Sequence, residues 1–158
     1  MLRAMLTQLA LLRHGRAESQ AADADLLPAG EAHIRALGRR LAADGIVPAA
    51  AFSSPYRRAH RTALLLLEAI APRLEPTLLR ELAPDSDVDA ALSALHEAGL
   101  PRGLVLVVAH MPLVGQMALR LAGADPGFTP GTWAEFQLAD DGGSGSLVRR
   151  LGAEDLGL

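Results

Sequence analysis

A chain of 158 residues and 16.6 kDa, half hydrophobic and 21% charged, has the length of one globular domain and enough apolar residues to fill its core. It has no cysteine and its 15 basic residues are all arginine. That excludes disulfides, thiolate nucleophiles, iron–sulfur clusters, cysteine-ligated zinc, lysine Schiff bases and lysine-dependent phosphate loops. A net charge of −3, a pI near 5.9 and 3% aromatic residues oppose nucleic-acid binding, which draws on a basic surface and stacking rings.

The apolar stretch from Met1 to Leu12 contains Arg3 and runs straight into Arg13-His14-Gly15. It lacks the long apolar core and small-residue cleavage site of a signal peptide, so it reads as a strand, with Gln8–Leu12 its buried part. Met5 is an alternative start that makes the first four residues dispensable. Gly30–Asp44 carries Ile34, Leu37 and Leu41 at helical spacing and stops at Gly45. Ala49–Phe52 is a short strand closed by Ser53-Ser54-Pro55. Tyr56–Ala71 follows as a helix, with Pro55 tolerated in its first turn and Pro72 ending it. A third strand is expected over Leu74–Leu79. Asp87–Ala98 is a helix stopped by Gly99 and Pro101. Leu104–Val108 is continuously apolar and mostly β-branched, as a central parallel strand covered on both faces should be. His110 follows it, then a helix over Pro112–Leu121 ended by Gly123. Thr132–Leu138 and Ser146–Leu151 read as a C-terminal hairpin joined through Asp140–Gly145.

No repeat or linker divides the chain, so a single domain over residues 1–158 is expected. The alternation of strands and helices predicts an α/β fold with a mostly parallel sheet and helices on both faces. No stretch approaches the ~18 apolar residues of a membrane span, and the expected location is cytoplasmic, without a membrane partner.

Three segments share one position, the C-terminal end of a strand: Arg13-His14-Gly15, Ser53-Ser54-Pro55-Tyr56-Arg57-Arg58 and Ala109-His110. Ligands of open α/β sheets bind outside these ends, so two histidines and two or three arginines are expected to converge. Guanidinium forks suit phosphate oxygens. A neutral imidazole nitrogen can attack phosphorus, and a second histidine can hydrogen-bond the transferring group. Gly15 permits close backbone approach, and its N–H is expected to face the ligand. Arg58 falls in the first turn of a helix, where free N–H groups also favour anions.

Arg13-His14-Gly15 resembles the RHG signature of the histidine phosphatase superfamily, which includes the phosphoglycerate mutases. The segment from Ser53 to Ala63 resembles its SSPxxRAxQTA motif. Val108-Ala109-His110-Met111-Pro112-Leu113-Val114 resembles the segment bearing its second active-site histidine. The order, spacing and short length resemble those of the SixA-type phosphohistidine phosphatases, over roughly Leu9 to Leu121.

The resemblance implies that His14 is the nucleophile that becomes phosphorylated, that Arg13 and Arg58 hold the phosphate, and that His110 completes the pocket; the reading of the residues themselves adds Gly15 to the phosphate-binding set. It implies neither a metal nor an organic cofactor. Glu81 best matches the family's leaving-group acid, although Ala83-Pro84-Asp85-Ser86-Asp87 departs from the mutase-type pattern. Arg61 replaces the usual Gln, and His33 stands where Gln is common; neither is assigned a catalytic role. A weak acid position favours phosphohistidine, because its leaving imidazole has an unperturbed pKa of about 6.5 and departs readily once protonated. The short connections from Gly15 to Leu27 and from Leu79 to the next helix also favour an open site that accepts a protein-borne phosphohistidine, as on a phosphorelay histidine phosphotransfer domain. Two alternatives stay open: a phosphatase of small phosphate esters, and a catalytically silent phosphate-binding interaction module. The oligomeric state is not readable.

Other residues carry bland readings. Arg57 reads as solvated, and His33 and His60 as surface or partly packed. His96-Glu97 opens a zinc-protease motif that fails at Leu100. Asp23-Ala24-Asp25 follows no strand and reads as a loop, and Gly142-Gly143-Ser144-Gly145 as a flexible turn. Leu64–Leu67 reads as a helix segment buried on several sides or as a dimer contact.

Overall fold

The computed structural model describes residues 7–139 and 145–158. β1 (Thr7–Arg13) leads to α1 (Pro28–Ala43), β2 (Ala50–Ser53), α2 (Arg57–Ile70) and β3 (Thr77–Leu78). A 3-10 turn (Arg80–Leu82) precedes α3 (Val88–Ala98), β4 (Gly103–Ala109), α4 (Leu113–Ala122), β5 (Trp133–Gln137), β6 (Ser146–Leu151) and a last 3-10 turn (Ala153–Leu156). The strands form one sheet in the order β3-β2-β4-β1-β5-β6. β3, β2, β4 and β1 pair in parallel, whereas β5 and β6 pair antiparallel. This is the expected α/β architecture.

The strand period of two divides the core. Ala10 and Leu12 of β1, with Leu104, Leu106 and Val108 of β4, face one side, where α1 and α2 bring Ile34, Leu37, Leu41, Leu65 and Leu66. Leu9 and Leu11, with Val105, Val107 and Ala109, face the other, where α3 and α4 bring Leu95, Leu113, Val114 and Met117. Both faces of β1 and β4 are buried, which is why neither strand alternates apolar with polar residues. Among the described residues, no helix is long and apolar enough to cross a membrane.

Some boundaries differ from expectation for local reasons. The strand expected over Leu74–Leu79 shrinks to Thr77–Leu78, both exposed at the sheet edge, because Pro76 cannot donate to a ladder. α1 starts at Pro28 rather than Gly30, using the ring's fixed φ in the first turn. α2 starts at Arg57, not Tyr56, so Pro55 precedes the helix: Ser54 Oγ accepts the Tyr56 N–H at 3.1 Å and holds a turn there. Leu65, Leu66 and Leu67 are buried, whereas Leu64 is 41% exposed. His33, expected at the surface or partly packed, is buried with its ring against Gly131. Met1–Leu6 of the first apolar stretch and Asp140–Ser144 of the hairpin connection lie outside the described residues.

Candidate active site

Parallel register decides where the chemistry collects. Arg13 stands opposite Ala109, and Ser53 opposite Val108. His14, His110 and Ser54 therefore leave β1, β4 and β2 at one level. The ladder continues for one step beyond the strands, His14 N–H donating to Ala109 O and Ser54 N–H to Val108 O, both at 3.0 Å. The His14 and His110 ring centroids are 5.0 Å apart.

His14 Nδ1 is 2.7 Å from Gly15 O. A carbonyl only accepts, so Nδ1 carries the proton and Nε2 keeps a lone pair. The Arg58 Nε–H donates to that Nε2 at 3.3 Å, which requires the same tautomer. Arg58 is buried at the start of α2, and its Nη1 also donates to Gln20 O and Ala21 O at 3.2 and 2.9 Å. Its Cζ lies 5.2 Å from the centre of the Tyr56 ring. Arg13 Nη1 donates to Phe128 O at 2.8 Å, while its buried Nε has no partner among the described residues.

Burial pushes the His14 imidazole down to about 4. Its bond to Gly15 O opposes the shift, and the charges of Arg58 and Arg13 add to it. Burial first, then the neighbouring His14, Arg58 and Arg13, pushes His110 down to about 3. Both rings are therefore neutral near pH 7, the state in which a ring nitrogen is nucleophilic.

The Gly15 N–H donates to Thr62 Oγ1 at 3.0 Å, and Thr62 Oγ1–H donates to Arg58 O at 2.7 Å. This corrects the expectation that the Gly15 N–H faces the ligand: it is spent inside the fold. Gly15 instead serves close packing, since a Cβ there would lie 3.3 Å from both Gly30 O and Ile34 Cγ1. At Gly30, a Cβ would collide with the Arg16 carbonyl oxygen. The two glycines press the turn after His14 onto the start of α1.

The structure thus brings Arg13, His14, Arg58 and His110 together. Glu81 lies in the 3-10 turn at the same end of the sheet, where Leu79 N–H donates to Ser53 O. Its carboxylate pairs with Arg80 at 3.3 Å and bonds none of those four residues. A cavity of about 340 Å³ opens beside Arg13 and His14, walled by Arg16, Glu18, Gln20, Leu27 and Pro130. Sequence reasoning missed Ser54 and Thr62 as site residues. Thr62 is one helical turn from Arg58, a signal that was present; Glu18 and Gln20 carried none. Arg57 is exposed and pairs with Asp25, and Arg61 pairs with Glu31. Among the described residues, no group of three or more His, Asp or Glu stands close enough to hold a metal ion.

The family model of the histidine phosphatase superfamily (branch 1) matches residues 9–83. Phosphohistidine phosphatase SixA of Escherichia coli (strain K12) is 30% identical over 150 residues, 89% of this chain and 90% of that protein. A 2,3-bisphosphoglycerate-dependent phosphoglycerate mutase of Methylobacterium sp. (strain 4-46) is 40% identical over 86 residues, but the match spans only 41% of its length. The solved structure of the protein histidine phosphatase SixA complexed with tungstate superposes with a TM-score of 0.82 at 27% identity, covering 94% of this chain and 99% of that one. A phosphoglycerate mutase from Bacillus anthracis str. Sterne, at 16% identity and a TM-score of 0.77, shares the fold.

The chain belongs to the histidine phosphatase superfamily. Within that class it has the short SixA-type form, matched nearly end to end in sequence and in fold.

Proposed function

We propose that this protein is a phosphatase that works through a phospho-His14 intermediate, without a metal, on phosphohistidine carried by proteins. The observation that carries the reading is the His14 imidazole itself: neutral, its Nδ1–H tied to Gly15 O, its Nε2 lone pair beside Arg58 and its ring 5.0 Å from His110.

The chemistry follows from these groups. His14 Nε2 attacks phosphorus in line with the substrate's P–N bond, which breaks as P–Nε2 forms. The departing imidazole nitrogen takes up a proton. Water then attacks phosphorus, P–Nε2 breaks, and inorganic phosphate leaves with the water's proton. Arg13 and Arg58 bind the non-bridging oxygens and neutralise their charge, and His110 donates to them; such positioning and charge stabilisation is most of what phosphoryl transfer asks of a protein. The similarity to SixA, named a phosphohistidine phosphatase, supports the substrate class. A histidine phosphotransfer domain of a phosphorelay is the partner this reading favours, with a role in signalling.

A second reading, hydrolysis of small phosphate esters, draws on the Glu18 carboxylate in the wall of the His14 cavity and on Glu81 nearby, since esters need an acid for a poor leaving group. The test is phosphate release from a phosphohistidine-bearing protein and from a phosphate monoester, by wild type and His14→Ala, with EDTA present. Fast, His14-dependent, chelator-insensitive release from phosphohistidine is expected. A preference for the monoester selects the second reading, and inertness on both overturns each.

A further inference from the structure

Ser54 is fully buried at the end of β2. Its Oγ has two neighbours among the described residues: the Tyr56 N–H at 3.1 Å and His110 Nε2 at 2.7 Å. The Tyr56 N–H can only donate, so it occupies one lone pair of Oγ. The hydroxyl proton then has one acceptor within reach, His110 Nε2. The opposite arrangement, Nε2–H donating to Oγ, leaves two buried groups unmade, the Ser54 hydroxyl proton and the Nδ1 lone pair, whereas the first leaves only the Nδ1–H. Hydrogen-bond accounting therefore selects one tautomer: His110 accepts at Nε2 and carries its proton on Nδ1.

That Nδ1 is buried and has no hydrogen-bond partner among the described residues. Buried donors are nearly always paired, so an exception at a site calls for an acceptor from outside the chain. Arg13 Nε, in the same site, is a second such donor. A phosphoryl group supplies the oxygens both lack.

We propose that Ser54 is a positioning residue. Its hydroxyl holds His110 in the Nδ1–H tautomer, so that a neutral imidazole presents an N–H donor, and not a lone pair, to the transferring phosphoryl group. The Nδ1 lone pair of the other tautomer would repel an anionic oxygen. Turning the ring over would restore a donor but would break the bond to Ser54. Tyr56 takes part from both sides, its N–H fixing the Ser54 rotor and its ring meeting His110 edge-on at 5.4 Å between centroids. The role in catalysis rests on the phosphatase reading; the tautomer does not.

The test is histidine nitrogen NMR on the ¹⁵N-labelled full chain at neutral pH. His110 is expected with a protonated Nδ1 and an acceptor Nε2; a protonated Nε2 overturns the proposal. Ser54→Ala is expected to release the tautomer and to lower kcat with little change in KM. The fall should lie between roughly 10-fold and the ~10²–10³-fold that removal of a transition-state donor costs. Ser54→Thr, which keeps the hydroxyl, should recover both the spectrum and most of the rate. A folded Ser54→Ala protein with unchanged tautomer and rate overturns the proposal. If Ser54→Ala does not fold, the wild-type spectrum and Ser54→Thr decide. Wild-type protein inert on every phosphorylated substrate defeats the phosphatase reading alone, because the spectrum needs no turnover.

Discussion

The Arg58 Nε–H donates to His14 Nε2 at 3.3 Å, so a guanidinium rests on the atom that the proposed chemistry makes the nucleophile. The contact keeps that nitrogen unprotonated and aims its lone pair. An incoming phosphoryl group must displace it, taking the guanidinium onto its own oxygens as Nε2 reaches phosphorus. One side chain thus guards the nucleophile before binding and neutralises charge afterwards. Arg58→Lys keeps the charge but loses both the fork and the Nε–H. The expected loss in kcat/KM is about 10²–10³-fold, the scale of removing one preorganised donor. Steady-state kinetics on a phosphohistidine protein, with tungstate as a binding probe, checks this; a loss below a few-fold denies Arg58 the role.

The pH profile follows from burial. His14 takes a proton only near pH 4 and His110 only near pH 3, whereas an unfolded histidine does so near ~6.5. Protonation of His14 removes the attacking lone pair. The acid limb of log kcat/KM is therefore expected near 4, with a flat region through 6.5. Stability has the same sign. Between the unfolded and folded pKa values the unfolded chain binds more protons, so lowering the pH from ~6.5 toward 4 destabilises the fold, by up to about 1.4 kcal/mol per pH unit for each ring. Urea unfolding at pH 7 and pH 5, in wild type and in His14→Asn, measures this. An acid limb near 6.5 sinks the account.

Thr62 joins the site to its scaffold, accepting from the Gly15 N–H and donating to Arg58 O. Thr62→Val keeps the shape and removes both bonds, leaving a buried N–H unpaired at a cost of about 1–3 kcal/mol. Thermal unfolding should show that loss. The turn bearing His14 and the first turn of α2 bearing Arg58 should also lose their alignment, with kcat falling more than KM rises. Equal stability and rate would show that the two bonds carry nothing.

Gly30 tests the packing of the same turn from outside. A methyl group there meets the Arg16 carbonyl oxygen, which is backbone and cannot swing away. Gly30→Ala is expected to destabilise by about 1–3 kcal/mol, as overpacking does. It should also displace the turn that follows His14 and so lower activity, although the atoms nearest the added methyl group all belong to Arg16 and to none of the four site residues. A melting temperature at or above that of wild type contradicts the packing.

The fold was legible where a pattern is local. The apolar run of Leu104–Val108 and the helical spacing of Ile34, Leu37 and Leu41 were enough to predict an α/β fold with a mostly parallel sheet, and the residues at three strand ends were enough to nominate a candidate site. The edge strand was overdrawn because Pro76 acts through a missing ladder bond, which hydrophobicity does not register. The Gly15 N–H was misassigned for a similar reason. Its partner, Thr62, is 47 residues away, and only the packing of α2 on the turn after β1 brings them together. Ser54 stood in plain view inside a motif, yet its bond to His110 spans 56 residues and depends on β2 and β4 pairing in register. Residue types announce the chemistry; the partners that select a tautomer or consume an N–H come only with tertiary structure.

The acid question separates the two substrate classes. A phosphohistidine releases an imidazole whose pKa of about 6.5 makes it a good leaving group once protonated, whereas an alkyl phosphate releases an alkoxide that needs a proton in the transition state. Removing a general acid typically costs about 10²–10⁴-fold, but only where the leaving group depends on it. Glu81 pairs with Arg80, and Glu18 lines the cavity at His14 with Oε1 accepting the Asp25 N–H at 3.0 Å. Glu81→Gln and Glu18→Gln are therefore each expected to leave release from a phosphohistidine protein within a few-fold of wild type. If the protein also turns over a monoester, the variant that removes its acid should lose that activity by at least 10²-fold. Side-by-side kinetics on the two substrates decides. A large loss on phosphohistidine from either variant means that the departing imidazole is protonated by that carboxylate and not by solvent.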